Sequence, residues 1–374
     1  MANIIDYIAW RGDLPFSVVP FNDIDSLILC QISYLDFSGI VNENFKNCVT
    51  LKDAAERFRN AKDFSKRRKV GAMINSLTAD LLFAAASSRR FGNVKVCGYT
   101  TRFDPKKEEQ FSAMTFLTGD KYAFVAFRGT DDTIIGWKED FNMGVLKTVP
   151  AQIDALCYLT EAMTSIRIRF RAGGHSKGGN FAMYAAAFCE KAIKERIARI
   201  YNNDGPGFRE EIIGTEAYQE LLPKITSIVP QTSIIGQLLS NRAEQIVVKS
   251  SAVGIFQHDV TTWEVTKDKF VRAKLDAFSD FVKVSLGAWL ETLDDETRES
   301  LVSTVFSMIE ATEAETFLEF GENLFKNSGI IIKGLGELPK EKRNELLTAL
   351  RSLAHAGGTT VLNKIPNIVD GRSG

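Results

Sequence analysis

Over the first ninety residues apolar positions recur with helical spacing. Ile24, Leu27, Ile28, Ile32 and Leu35 share one face of residues 23–36, and residues 72–86 read as a second, largely apolar helix. From residue 94 the period shortens to that of strands, over 94–101, 111–117 and 122–127, with Gly119-Asp120 supplying a hairpin-type turn between the last two. Beyond Pro150 the two periods alternate. Helices are expected at 153–163 and 178–197, and strands at 166–172, 199–202, 225–229 and 245–249, the pattern of βαβ units in an open, mainly parallel sheet. After residue 265 strand signals nearly vanish: Phe278, Phe281, Val282, Trp289 and Leu293 fall on one helical face, and residues 315–325 and 341–354 continue as amphipathic helix.

The organisation this implies is an α/β unit over residues 1–265, with a mixed or helical front section (1–90) and a sheet core (90–265), followed by a helical extension (266–374). A chain of 374 residues accommodates two domains of about 150 residues each, or one large α/β domain with an extension. No internal repeat is visible, and the flexible-looking segment is the Gly- and Pro-containing tail after Gly357. One strand does not suit its place. Ile166, Ile168 and Phe170 alternate with Arg167, Arg169 and Arg171, whereas a central parallel strand covered on both faces should be apolar throughout, so the arginines must reach an edge, a carboxylate or a cap.

Composition narrows the function classes. A hydrophobic fraction of 45% and a charged fraction of 25% are those of an ordinary globular protein. Forty-six basic against forty-seven acidic residues leave a net charge of −1, and the densest basic run, KRRK at 66–69, sits near Glu56 and Asp63 as a solvated helix face would; nucleic acid is not an expected partner. The amino terminus lacks the basic segment and apolar run of a secretory signal, and no stretch reaches the ~18 apolar residues of a membrane span. Cys30, Cys48, Cys97, Cys157 and Cys189 are odd in number and widely spaced, which suits reduced thiols; a cytoplasmic protein is expected. Three scattered histidines offer no metal-ligand spacing and no Walker-type loop is present, so neither a metal nor another cofactor is expected.

Between the strand at 166–172 and the following helix lies Gly174-His175-Ser176-Lys177-Gly178-Gly179-Asn180, a G-x-S-x-G pattern in a strand–turn–helix setting. A bare G-x-S-x-G also arises by chance, but here the strand before it and the small face Ala182, Ala185 and Ala186 after it support a nucleophile elbow presenting Ser176. Serine needs a base. His175 is adjacent to the serine and His355 lies in the tail, whereas His258 follows the last core strand, where the chain order Ser…Asp…His places the base; the plain alternative is a loop histidine. Asp204, in Asn203-Asp204-Gly205-Pro206-Gly207 at the end of the strand after the nucleophile helix, is the expected acid, with Asp259 a weaker rival and a self-bonded turn aspartate the plain alternative. Oxyanion donors are expected at the backbone N–H of Lys177 and at Thr130, in Phe127-Arg128-Gly129-Thr130-Asp131; otherwise that loop is a plain turn in which Arg128 pairs with Asp140.

FRGT, then GWKEDF with Trp137 and Asp140, then GHSKGG together resemble the class 3 lipase pattern of the α/β-hydrolase superfamily over roughly residues 90–265. The resemblance implies an α/β-hydrolase fold with a mainly parallel sheet flanked by helices, Thr130 in the oxyanion hole and Ser176 as nucleophile. Class 3 lipases carry the acid one strand later, in D-x-V-P, where this chain has Ser227-Ile228-Val229-Pro230; Asn203-Asp204-Gly205-Pro206 is similar instead to the D-P-A-G-P setting of pancreatic-type lipases. The longer strings NDIDSLILCQISYLDF, FRGTDDTIIGWKEDFNM, GHSKGGN and NNDGPGF resemble an uncharacterised bacterial lipase-like family, which implies the fold and the triad and no particular substrate.

The expected activity is hydrolysis of a small-molecule or lipid carboxylic ester, with residues 131–150 where lipase lids usually sit, although Ile134, Ile135, Val145 and Leu146 suit a core equally well. The alternative is a catalytically silent binding or scaffold protein that uses the helical extension as its partner surface. The stripe from Phe278 to Leu293 suits a core, or the seam of a homo-oligomer.

Overall fold

A computed structural model describes residues 1–68, 70, 77–131, 133–279, 293–316, 319–320 and 323–356. Eight strands form one sheet in chain order: β1 (Val49–Thr50), β2 (Lys95–Asp104), β3 (Glu109–Leu117), β4 (Tyr122–Phe127), β5 (Arg169–His175), β6 (Ile197–Asn203), β7 (Ile225–Pro230) and β8 (Gln245–Val248). β1 to β4 pair antiparallel and β4 to β8 parallel. The helices used below are α1 (Ile4–Arg11), α2 (Asp23–Ile32), α3 (Thr78–Ser87), α4 (Ile134–Asn142), α5 (Pro150–Ser165), α6 (Lys177–Phe188), α7 (Asp295–Glu310), α8 (Leu324–Glu337) and α9 (Lys340–Ala356). This is a mixed α/β architecture with a large, mostly parallel sheet between helices.

β4 shows why both faces must be covered. Successive side chains of a strand point to opposite faces. Phe124 and Ala126 pack with α1, α2 and α3, while Ala123, Val125 and Phe127 pack with α5 and α6, and all five are buried. The front section is thus the cover of one sheet face. Of the misfit arginines, Arg171 pairs with Asp120 at 2.9 Å and stacks over the Tyr122 ring at 3.9 Å, and Arg169 donates to the Tyr122 hydroxyl at 3.2 Å. A carboxylate and aromatic faces receive them at the start of the strand, and the apolar run then continues into the elbow.

Several elements differ from the sequence expectation. α2 ends at Ile32 because the chain tightens there, Tyr34 N–H bonding the carbonyl of Gln31 and Ser33 Oγ that of Cys30. α3 begins at Thr78, residues 72–76 lying outside the described ones. α6 stops at Phe188, since Cys189 is extended and the chain must return to pair Ile197 with Phe170. Residues 134–142 form a helix, with Ile134 and Val145 buried and Ile135 and Leu146 half-buried. A short hairpin, Val265–Thr266 with Lys269–Phe270, follows the core where no strand was expected. Within 315–325 Thr316 forms an isolated bridge with Thr133, Glu319 and Phe320 are helical, and a further helix starts at Leu324, residues 317–318 and 321–322 lying outside the described ones.

α7, α8 and α9 carry a small apolar cluster of their own, including Leu301, Met308 and Leu346. Of these, α7 rests against α4, where Lys138 meets Glu310 at 3.0 Å and Phe141 meets Phe306 with ring centroids 5.5 Å apart, and Arg209, outside α4, holds Asp295 at the start of α7 at 2.8 Å. Of the expected stripe, Phe281, Val282 and Trp289 lie outside the described residues, Phe278 is exposed and Leu293 packs on this cluster. Among the described residues no helix is long and apolar enough to cross a membrane, and the five cysteines are unpaired.

The front section is locked by an ion pair with no solvent access. Arg90 grips Asp25 through two bonds of 2.5 and 2.8 Å, and it also donates to the carbonyls of Leu14, Val19 and Pro20. Asp25 is in addition the N3 residue of the α2 capping box and accepts from the Tyr7 hydroxyl at 3.0 Å. Burial pushes the Asp25 carboxyl upward, against the pull of Arg90. Removing one partner strands the other, so Asp25→Ala should lower the unfolding free energy by about 3–5 kcal/mol. Urea denaturation measures this, and a loss under about 1 kcal/mol, the scale of an exposed pair, would contradict it.

Candidate active site

The sequence of the elbow dictates an unusually close approach. β5 and α6 meet at Ser176, whose φ of 56° and ψ of −136° lie in a region costing on the order of 1–3 kcal/mol for a residue with a side chain. Backbone bonds hold it there: Ser176 N–H donates to Asn203 O at 3.0 Å and Gly179 N–H to Ser176 O at 2.9 Å. A Cβ at Gly174 would stand 2.1 Å from the Gly178 carbonyl carbon, and one at Gly178 would stand 2.1 Å from the Phe127 carbonyl oxygen. The helix start can therefore sit directly on the ends of β4 and β5. Gly129 brings the next loop equally close, for a Cβ there would be 2.5 Å from His175 O and 3.0 Å from Ser176 Cβ.

Asp204 follows β6 with φ of 51° and is almost fully buried. Its Oδ1 accepts from Ser233 Oγ at 2.6 Å and from Gly236 N–H at 3.2 Å, and its Oδ2 lies 2.6 Å from His258 Nδ1. An acceptor carboxylate at Nδ1 fixes the proton on that nitrogen and leaves Nε2 with its lone pair. Asp259 instead accepts from Thr261 N–H and Oγ1, capping the turn after His258, and Ser227 Oγ accepts from Asn241. His355 lies in α9. The structure thus brings Asp204 and His258 together and sets Ser176 between β5 and α6 beside them. Among the described residues no hydrogen bond joins Ser176 Oγ to His258.

His175 has a role that its position beside the serine did not reveal. Its ring stacks on that of His258 with centroids 4.4 Å apart, and its Nε2 lies 2.9 Å from the His258 carbonyl oxygen. A carbonyl only accepts, so Nε2 carries the hydrogen and Nδ1 accepts from the Tyr34 hydroxyl, 3.0 Å away. Burial, with His258 adding to it, pushes the His175 pKa well below its ordinary value, which keeps the ring neutral. Tyr34, Ser233 and Gly236 were not legible as site residues, since nothing in their spacing marks them.

Thr130 is buried on the loop after β4, and its hydroxyl donates to Asp140 Oδ2 at 2.5 Å. Asp140 therefore serves Thr130, while Arg128 pairs at 3.6 Å with Asp131 rather than with Asp140. Among the described residues no hydrogen bond uses the backbone N–H of Thr130 or of Lys177. The Lys177 side chain runs inward: it is fully buried, with Nζ 3.0 Å from Glu139 Oε2, whose carboxylate also accepts from the N–H groups of Gln110 and Ala151. Burial lowers the Lys177 pKa, but the Glu139 and Asp140 carboxylates outweigh it and the net shift is upward. Burial raises Asp140 to about 6, against the pull of Lys177 and the Thr130 hydroxyl.

The model of the Mbeg1-like family matches residues 85–307. No curated protein matches the chain. Among solved structures, that of M37 lipase is similar at 15% identity, covering 58% of this chain and 70% of that one, with a TM-score of 0.33.

Asp140 yields a pH prediction. It titrates at about 4 in an unfolded chain and at about 6 in the fold. A raised folded pKa contributes stability that is fully present below about pH 4 and lost as pH rises through about 6. Asp140→Asn removes that titration, so its unfolding free energy in urea should fall less than the wild type's between about pH 4 and 7. Parallel pH profiles for the two proteins would count against the shift.

Proposed function

The chain belongs to the Mbeg1-like family, and we propose that it is a lipase- or esterase-like serine hydrolase of the α/β-hydrolase fold, cleaving a carboxylic ester through an acyl-enzyme. The observation that carries this reading is the buried Asp204–His258 pair at 2.6 Å beside a serine held at positive φ. In this reading Ser176 Oγ attacks the ester carbonyl as His258 Nε2 takes its proton. Asp204 keeps the Nδ1 proton in place and stabilises the imidazolium. The oxyanion is received by the N–H groups of Thr130 and Lys177, each worth about 3 kcal/mol in the transition state. His258 then returns the proton to the leaving alcohol, and water repeats the sequence to release the acid.

The catalytic unit is proposed to be residues 1–265 and the helical extension residues 266–374; the separate apolar cluster of α7, α8 and α9 supports a distinct helical unit, while the hairpin ending at Phe270 packs with the sheet core. A small ester or a lipid is the proposed substrate class, and the cytoplasm the proposed site of action. The open contact between Ser176 Oγ and His258 is the one observation that favours the alternative, a silent binding or scaffold protein; catalytic hydrogen bonds commonly close only with substrate in place.

Intact-protein mass after exposure to a fluorophosphonate separates the two. A single adduct on wild type, absent from Ser176→Ala, is expected, with kcat on a p-nitrophenyl ester falling by about 10⁴-fold or more in Ser176→Ala and His258→Ala. Folded wild type that takes no adduct, or Ser176→Ala that retains turnover, would remove the acyl-enzyme reading.

A further inference from the structure

The residue after a nucleophile is recruited through its backbone, and its side chain is free to be small. Here it is a lysine, and its ammonium is carried inward to α4, whose Asp140 also holds the Thr130 hydroxyl. Nζ has four oxygens around it: Glu139 Oε2 at 3.0 Å, Gln110 Oε1 and Gly136 O at 3.2 Å each, and Asp140 Oδ1 at 3.6 Å. The other oxygen of Asp140 takes the Thr130 hydroxyl. A continuous polar path therefore leaves the elbow at Lys177, crosses to α4 and returns to the loop after β4. Three N–H groups shared among four fixed oxygens in a site without solvent leave that path few other arrangements.

We propose that the Lys177 side chain is a positioning residue that sets the separation of the two oxyanion donors, its own backbone N–H on the elbow and that of Thr130 across the cleft. The proposal rests on the acyl-transfer reading above. The two N–H groups must converge on an oxygen that acquires its charge only in the transition state. A ground-state ester needs that convergence much less, so loosening the tether lowers kcat and leaves KM nearly unchanged. A ligand that forms a tetrahedral anion on the serine should lose affinity in proportion.

The test compares wild type with the double variant Lys177→Met, Glu139→Gln, which keeps side-chain length, removes the buried Lys177–Glu139 ion pair whole and leaves Asp140 to take up a proton, and with Asp140→Asn. Fluorophosphonate labelling of wild type comes first, and a protein that takes no label overturns the acyl-transfer reading and this proposal with it. Given labelling, p-nitrophenyl butyrate turnover and phenylboronic acid affinity are measured on the folded proteins. With KM within about twofold, kcat and boronate affinity should both fall by about 100-fold in the double variant and about tenfold in Asp140→Asn, as expected for donors displaced by up to about an ångström. Folded variants whose kcat and boronate affinity stay within about twofold of wild type, or whose loss falls on KM, would overturn the tether while the acyl-transfer reading stands. Should the double variant not fold, Asp140→Asn decides by the same two readouts.

Discussion

The approach of the start of α6 to the ends of β4 and β5 is the constraint on which the rest of the site depends. Backbone packs against backbone there without any intervening Cβ, because Gly174 and Gly178 face carbonyl groups 2.1 Å from where a side chain would begin. Only that contact lets Ser176 stand at the strand end with its own backbone strained, and only that contact aligns the first N–H of the helix beside it. The strain is held by ordinary means: two backbone hydrogen bonds, a sheet that continues on both sides, and apolar cover on both faces.

The parallel half of the sheet then determines where everything else arrives. β6 pairs with β5 up to Asn203 against His175, so the next residue, Asp204, emerges one step past the elbow. The chain after β8 returns over the same edge with His258, and Ser233 and Gly236, after β7, supply the donors that orient the carboxylate. Three successive strand ends thus deliver parts of one polar cluster, as open parallel sheets do at the carboxyl ends of their strands.

Much of this was legible in the residues. β4 matched its expected span because YAFVAF alternates between two covered faces, and the strand–turn–helix around Ser176 announced itself through its glycines. What stayed hidden was of two kinds. Helix ends depend on where the chain must go next, and so α2 and α6 stopped short of their apolar periodicity. Long-range polar partners have no local signature: nothing near Tyr34 says that it meets His175, and nothing near Asp140, which the plain-turn alternative paired with Arg128, says that it takes the Thr130 hydroxyl. The lysine inside the elbow was visible as a residue, but its destination was not.

The hydroxyl of Tyr34, the ring of His175 and the carbonyl of His258 form one chain from the front section to the loop that carries His258. Its consequence is cooperative. Any opening that lifts the end of α2 from the sheet also deprives the His175 ring of its acceptor bond and frees the loop behind it. The front section and the site therefore belong to one unfolding unit, and protection of the amides around His258 against hydrogen exchange reports on the integrity of residues far away in sequence. A chain lacking its first ninety residues would lose the wall against which its histidine loop is set, in addition to the cover of one sheet face.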